Sequence, residues 1–295
     1  MTAMTDIAFE PAPPRARTGP LSVLRRIWRH RSGKIGLFLV GLIIFCALFG
    51  DHLTPWDPLK LNMPDRLKPP SAKHWLGTDE LGRDMLARII AGTRYVLLVS
   101  GIATAIAATG GILLGLVASA GGRWADMLVM RFVDIMLAFP YVLLLLAIIA
   151  ILGPSLITAL VAVGIASIPG YARLVRAEAL SVRETEYAEA MRVLGAGRWR
   201  ITFGTVLPNI LSPLVIYISY SMPLAVLSAS SLSFLGLGAQ PPLPEWGAML
   251  VQSRTFLRTA WWVVASPGFA IFFSILGMNL LGNALRDVLD PRTRA

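Results

Sequence analysis

Five stretches of this chain carry no Asp, Glu, Lys or Arg. They lie between Lys34 and Asp51, Arg94 and Arg123, Asp134 and Arg173, Arg200 and Glu245, and Arg258 and Arg286. A helix needs about 20 mostly apolar residues to cross the hydrocarbon core of a bilayer. The chain is therefore an integral membrane protein built from helices. Composition agrees: 15% of its 295 residues are charged and 55% hydrophobic, against about 25% charged in soluble domains.

Five stretches do not make five spans. The third is too long for one helix, and Gly153-Pro154 breaks it with turn chemistry and a missing amide donor, so it reads as a hairpin. In the fourth, Pro208 is expected to end a loop-side helix, and Pro241, Pro242 and Pro244 break the far end. Six transmembrane helices result, over 33–50, 95–119, 133–152, 155–172, 209–235 and 261–284. Trp28, Trp124, Trp199, Trp246, Trp261 and Trp262 fall near the ends of apolar runs, where indole prefers the headgroup region. Trp56 and Trp75 fall in the first long loop. The first run starts after a basic tail, and Asp51 and His52 stand where a small-residue cleavage site would be needed, so it reads as an uncleaved span.

Six spans place both termini on one side. Lys and Arg residues number 18 on that side and nine on the other, so positive-inside bias puts both ends in the cytoplasm. The first loop opposes this bias, since its seven basic residues equal those of the N-terminal tail. The net charge of +10 belongs to residues that flank apolar runs and meet anionic lipid, which argues against nucleic-acid binding. Cys46 is the only cysteine, so neither an intrachain disulfide nor a cysteine metal cluster can form. His30, His52 and His74 show no ligand spacing and read as surface or loop histidines. No metal site is expected.

Two loops remain. In the outer one, Thr78, Asp79 and Glu80 suit a helix start, and Leu81, Met85, Ile89 and Thr93 step by four. The segment reads as an interfacial helix lying on the bilayer. Alternatively it is a lid, or a contact for an external binding protein through Asp79, Arg83 and Asp84. In the inner loop, Ser181 and Glu184 have capping-box spacing, which predicts a helix over 182–194. Tyr187, Met191 and Leu194 share one face, widened by Ala190; Glu186 and Glu189 lie toward another. Gly195-Ala196-Gly197 is expected to stop it.

Glu189, Ala190, Gly195, Leu207 and Pro208 resemble the Glu-Ala-Ala, three residues, Gly, nine residues, apolar, any, Leu-Pro signature of membrane subunits in binding-protein-dependent ATP-binding-cassette importers. The chain departs from it at Met191, where Ala is usual, and at Thr205, where an apolar residue is usual. Thr78-Asp79 with Gly82-Arg83-Asp84, Phe234–Gly238, Pro241-Pro242 with Glu245-Trp246-Gly247, and Leu285–Arg292 are similar to the second permease subunit of dipeptide and oligopeptide importers. The resemblance implies a type I importer transmembrane fold. Residues 1–32 would be a cytoplasmic tail and 33–94 a first span with its external loop. A five-helix core over 95–285 would carry a coupling loop at 173–208, and 286–295 would be a second cytoplasmic tail. It implies an inner-membrane permease for peptides, with nickel or glutathione as neighbouring substrates. Its partners would be a second homologous permease, one or two types of ATPase and an external substrate-binding protein. Glu186, Tyr187, Glu189, Ala190, Met191, Gly195, Ala196, Leu207 and Pro208 would seat in the ATPase. The chain has no Gly-x4-Gly-Lys-Ser/Thr phosphate loop, so no catalysis and no cofactor are expected here, with ATP and Mg on the partners.

Within the spans, Arg131 and Asp134 are placed to pair locally; a proton relay is the alternative. Pro140, Pro169, Pro213, Pro223 and Pro267 are candidate hinges or packing kinks. Gly110, Gly111, Gly115 and Ala118 offer a small-residue contact face. Ser219, Ser221, Ser228, Ser230 and Ser231 make the fifth span the candidate lining of the route. An ion-coupled secondary transporter would show repeats and buried acids, and a membrane enzyme a clustered catalytic set. The sequence shows none of these.

Overall fold

In a computed structural model, which describes residues 20–289, the chain is all helical apart from its loops. Residues 1–19 and 290–295, including most of the N-terminal tail and the end of the Leu285–Arg292 motif, lie outside the described residues. Helix α1 (Pro20–Arg29) precedes the first span α2 (Arg31–Leu53). Then follow α3 (Met85–Ala120), α4 (Arg123–Ala138), α5 (Tyr141–Leu152) and α6 (Leu156–Arg183). Beyond them come α7 (Glu186–Val193), α8 (Arg198–Ile201), α9 (Leu207–Phe234), α10 (Trp246–Ser253) and α11 (Trp261–Leu289). Five helices are long and apolar enough to cross a membrane, and α4 with α5 forms a sixth, bent pair.

Three elements differ from expectation. Met85–Thr93 is no separate interfacial helix but the start of α3, which runs 36 residues without a break. The cap is Asp84, whose carboxylate accepts from the Ala87 amide at 2.8 Å, rather than the Thr78–Glu80 group. At 1.5 Å per residue α3 is about 54 Å long, so its first turns stand clear of a core about 30 Å thick. The third span bends by 93° between α4 and α5. Phe139 is extended there because the ring of Pro140 disfavours a helical residue before it.

Pro208, in contrast, ends nothing: α8, a π-helical stretch (Thr202–Val206) and α9 form one run over Arg198–Phe234. The wider π turn gives the proline ring room against the carbonyl four residues earlier, where an α turn would clash.

The core of the bundle is the contact of α3 with α6. A Cβ at Gly111 would lie 2.2 Å from that of Tyr171, so only glycine permits this approach. The small-residue face thus packs helix on helix as expected. Arg131 and Asp134 do not pair with each other. Asp134 instead accepts from Arg173 of α6 at 2.7 Å, and Asp126 from Arg176 at 2.5 and 2.6 Å. Both bridges are partly exposed and contribute at most about 1 kcal/mol each; they strap α4 along α6.

Candidate functional site

The inner loop folds into an arm. Helix α6 runs on to Arg183, so Ser181 and Glu184 form no capping box; α7 starts after Thr185, whose side chain caps nothing. The chain then stops α7 with two bonds: Gly195 donates to the Arg192 carbonyl at 2.9 Å and Ala196 to that of Met191 at 3.0 Å. This paired pattern requires a left-handed residue, and Gly195 supplies it at φ 82°.

The arm's inner face is Ala188, fully buried, with Met191 and Ala196 against the cluster of Ala179, Val182 and Ile201. Arg192 donates to the Arg183 carbonyl at 2.6 Å, and buried Arg183 donates to the Thr202 hydroxyl. Met191 therefore turns inward, while Tyr187 and Leu194 point out, so the expected three-residue face splits. Val193 is 84% and Leu194 81% exposed; with Tyr187 and Ala190 they form an apolar tip flanked by exposed Glu186, Glu189 and Arg192. Leu207 is half-buried and Pro208 exposed at the root of the arm. Sequence reading missed Ala188, Arg183 and Thr202. Ala188, a small residue seven before the Gly195 stop and fully buried, was the available signal.

At the opposite end, residues 54–84 form a folded cap. Asp79, Arg83 and Asp84 are 4%, 2% and 4% exposed, so they build the cap's interior and offer no surface to a partner. Asp79 accepts from Arg83 Nε at 2.6 Å and from the Leu81 and Arg83 amides at 2.9 Å. His74, expected at a surface or in a loop, is a loop residue but buried: its Nδ1 lies 2.8 Å from Asp84 and its Nε2 3.4 Å from Asp65. Hydrogen bonds from Lys68 and Lys73 hold the Asp65 carboxyl far below the usual carboxylate range. Trp262 donates to the Thr78 carbonyl and Trp246 to that of Ile89, both at 3.1 Å, so the cap and α10 are pinned to α3 and α11. The Glu245 carboxylate caps α10 through the Ala248 amide at 2.9 Å, yet burial pushes its pKa up. The cap exposes Leu59, Leu61 and Met63 and, most of all, Trp75 beside half-buried Trp56.

The five serines of α9 do not share a face. Ser230 is buried against Glu245 at 3.3 Å, and Ser221 meets the Tyr171 hydroxyl of α6. Ser219 turns toward α11, and Ser228 reaches Tyr141 of α5 at 3.4 Å. Only Ser231 lies on the exposed stripe of α9, with Tyr220, Leu224, Leu227 and Phe234.

The model of the "binding-protein-dependent transport system inner membrane component" family matches residues 111–295. The chain belongs to that family. The "N-terminal TM domain of oligopeptide transport permease C" matches residues 21–70. The chain is 46% identical over 283 residues to the di/tripeptide transport system permease protein DppC of Pseudomonas aeruginosa, covering 92% of this chain and 93% of that one. It is 44% identical to the dipeptide transport system permease protein DppC of Alkalihalophilus pseudofirmus, covering 92% of this chain and 89% of that one. It is also 42% identical to the glutathione transport system permease protein GsiD of Pectobacterium atrosepticum, covering 92% of each. Among solved structures, the inward-facing MetNI methionine ABC transporter matches with a TM-score of 0.58 at 20% identity. The match covers 70% of this chain and 98% of that chain, a likeness of fold. The chain is thus a permease of the ABC-importer type I fold.

Proposed function

We propose that this permease is one transmembrane subunit of an ATP-driven importer of di- and oligopeptides in the inner (plasma) membrane, with both termini cytoplasmic. It pairs with a second, homologous permease subunit. Two ATPases dock on the cytoplasmic side and hydrolyse ATP with Mg; an external binding protein delivers the solute. The observation that carries this reading is the arm: a helix with an apolar, charge-flanked tip, held stiffly at its root. An exposed apolar tip of this kind marks a protein contact.

The arm's attachments say what a push on it would do. Arg192 and Met191 tie α7 to α6, while Arg183 ties α6 to the π turn that leads into α9. A displacement of the tip therefore moves α6 and α9 together. ATPase closure would drive that movement, and the spans would pass from inward-open to outward-open. At the other end the exposed ring of Trp75 is the candidate contact for the binding protein, in place of the buried Asp79, Arg83 and Asp84.

A peptide substrate fits the relatives named for di- and tripeptide transport. Glutathione, itself a small peptide, is the second reading, favoured by the 42% identity to a glutathione permease. A tagged chain should co-purify with an ATPase. Leu194→Glu should weaken that association at least tenfold while leaving the helical content unchanged by circular dichroism. An association that survives both Leu194→Glu and Gly195→Trp would rule out docking through the arm.

A further inference from the structure

Between α9 and α11, at the end of the bundle that carries the arm, lies a cavity of about 430 Å³. Asn279, Asn283 and Arg286 of α11 line one wall, stepping by four and three along a single helix face. Tyr217 and Tyr220 of α9 face them.

Two amides on a span, with a guanidinium just past its end, are costly in lipid and are retained where they bond across helices or meet a ligand or water. Bonding across helices does not account for these. Among the described residues none of the five side chains has a hydrogen-bond partner. The hydroxyl of neighbouring Ser219 is taken by the Ile216 carbonyl at 2.7 Å. The cavity is also braced: a Cβ at Gly282 would lie 3.2 Å from the Ser219 carbonyl, so α9 and α11 meet closely beside it. No Asp or Glu lines it. The wall therefore offers donors in excess, one of them cationic, over apolar ring surface.

The geometry points to a binding site for an oxyanion, a carboxylate or phosphate group, carried by a small amphiphilic molecule. The guanidinium and amides would hold the anion, and the tyrosine rings its apolar part. Tyr220 also belongs to the exposed stripe of α9, which gives such a molecule a way in. Two sources share this chemistry: the C-terminal carboxylate of a small peptide, and the phosphate of an anionic lipid headgroup.

The test uses the full chain with its co-purifying subunits in phosphatidylcholine nanodiscs. Three probes are titrated: alanyl-phenylalanine, its C-terminal amide, and phosphatidylglycerol, with retention read by native mass spectrometry. If the peptide is the source, amidation, Arg286→Gln and Asn283→Leu each weaken dipeptide binding at least tenfold. If lipid is the source, phosphatidylglycerol is retained by the wild type and lost from both variants. Retention of neither probe, or retention unchanged in both variants, overturns the site. Asn283 is exposed, so its replacement does not threaten the fold. ATPase association, measured on the same samples, reports on the importer reading separately: either can fail while the other stands.

Discussion

Asp65 and Glu245 sit at the same end of the molecule and answer pH in opposite senses. Hydrogen bonds from Lys68 and Lys73 keep the Asp65 carboxyl below its ordinary value of 3.8. Its contribution is therefore complete above that value and is lost only as pH falls through the depressed one. Asp65→Asn should lower the melting midpoint at pH 7 and approach the wild type in strong acid. Glu245 is the reverse case, because burial raises its pKa above the ordinary 4.5 despite the Ala248 amide. The folded state then binds the proton more tightly than the unfolded one, so stability falls as pH rises from about 4.5 through the raised value. Each tenfold difference in proton affinity is worth about 1.4 kcal/mol. Glu245→Gln keeps an acceptor for the Ala248 amide and removes the charge. As pH rises above about 4.5 its melting midpoint should decline less than that of the wild type; parallel slopes would sink the argument.

At the scale of elements, charge-free length announced the spans, but the joints between them were not legible. Pro140 and Pro208 look alike in sequence, yet one accompanies a 93° bend and the other lies within a continuous run. Phe139 turned extended, whereas residues 202–206 widened into a π turn, and tertiary packing chose between the two outcomes. The arm was half legible. Gly195 marked its end correctly, but Ser181 and Glu184 imitated a start, because α6 gains more by running on to bury Arg183 than by capping early. Burial hid the role of Asp79, Arg83 and Asp84 for a related reason: a charge cluster looks the same in sequence whether it faces water or itself. The arm's stiffness rests on Arg192, whose guanidinium donates to the Arg183 main-chain carbonyl and so ties α7 to the end of α6. Removing a charged hydrogen bond of this kind costs about 1.5–3 kcal/mol. Arg192→Met should therefore raise deuterium uptake of residues 186–196 about tenfold or more, with α3 and α11 unchanged. Uptake that rises evenly across the bundle would instead mean general loosening.

For the whole molecule, everything turns on which end faces the cytoplasm. The first loop's seven basic residues compete with the positive-inside reading, and the fold pairs five of them with carboxylates. Lys68 and Lys73 pair with Asp65, Arg83 and Arg88 with Asp79, and Arg94 with Asp51. The cap thus presents little net charge to a lipid surface. At the arm end, Arg123, Arg131, Arg198 and Arg200 have no ion-pair partner among the described residues and can meet anionic headgroups. Cys46 is the only thiol, so a Cys46→Ala background makes single-cysteine reporters simple. A cysteine at Trp75 should react with an impermeant maleimide in intact cells. One at Leu194, equally exposed on the opposite end, should react only after the membrane is opened. Were Leu194→Cys to label from outside, no cytoplasmic ATPase could reach the arm, and the direction of force through α6 and α9 would lose its source.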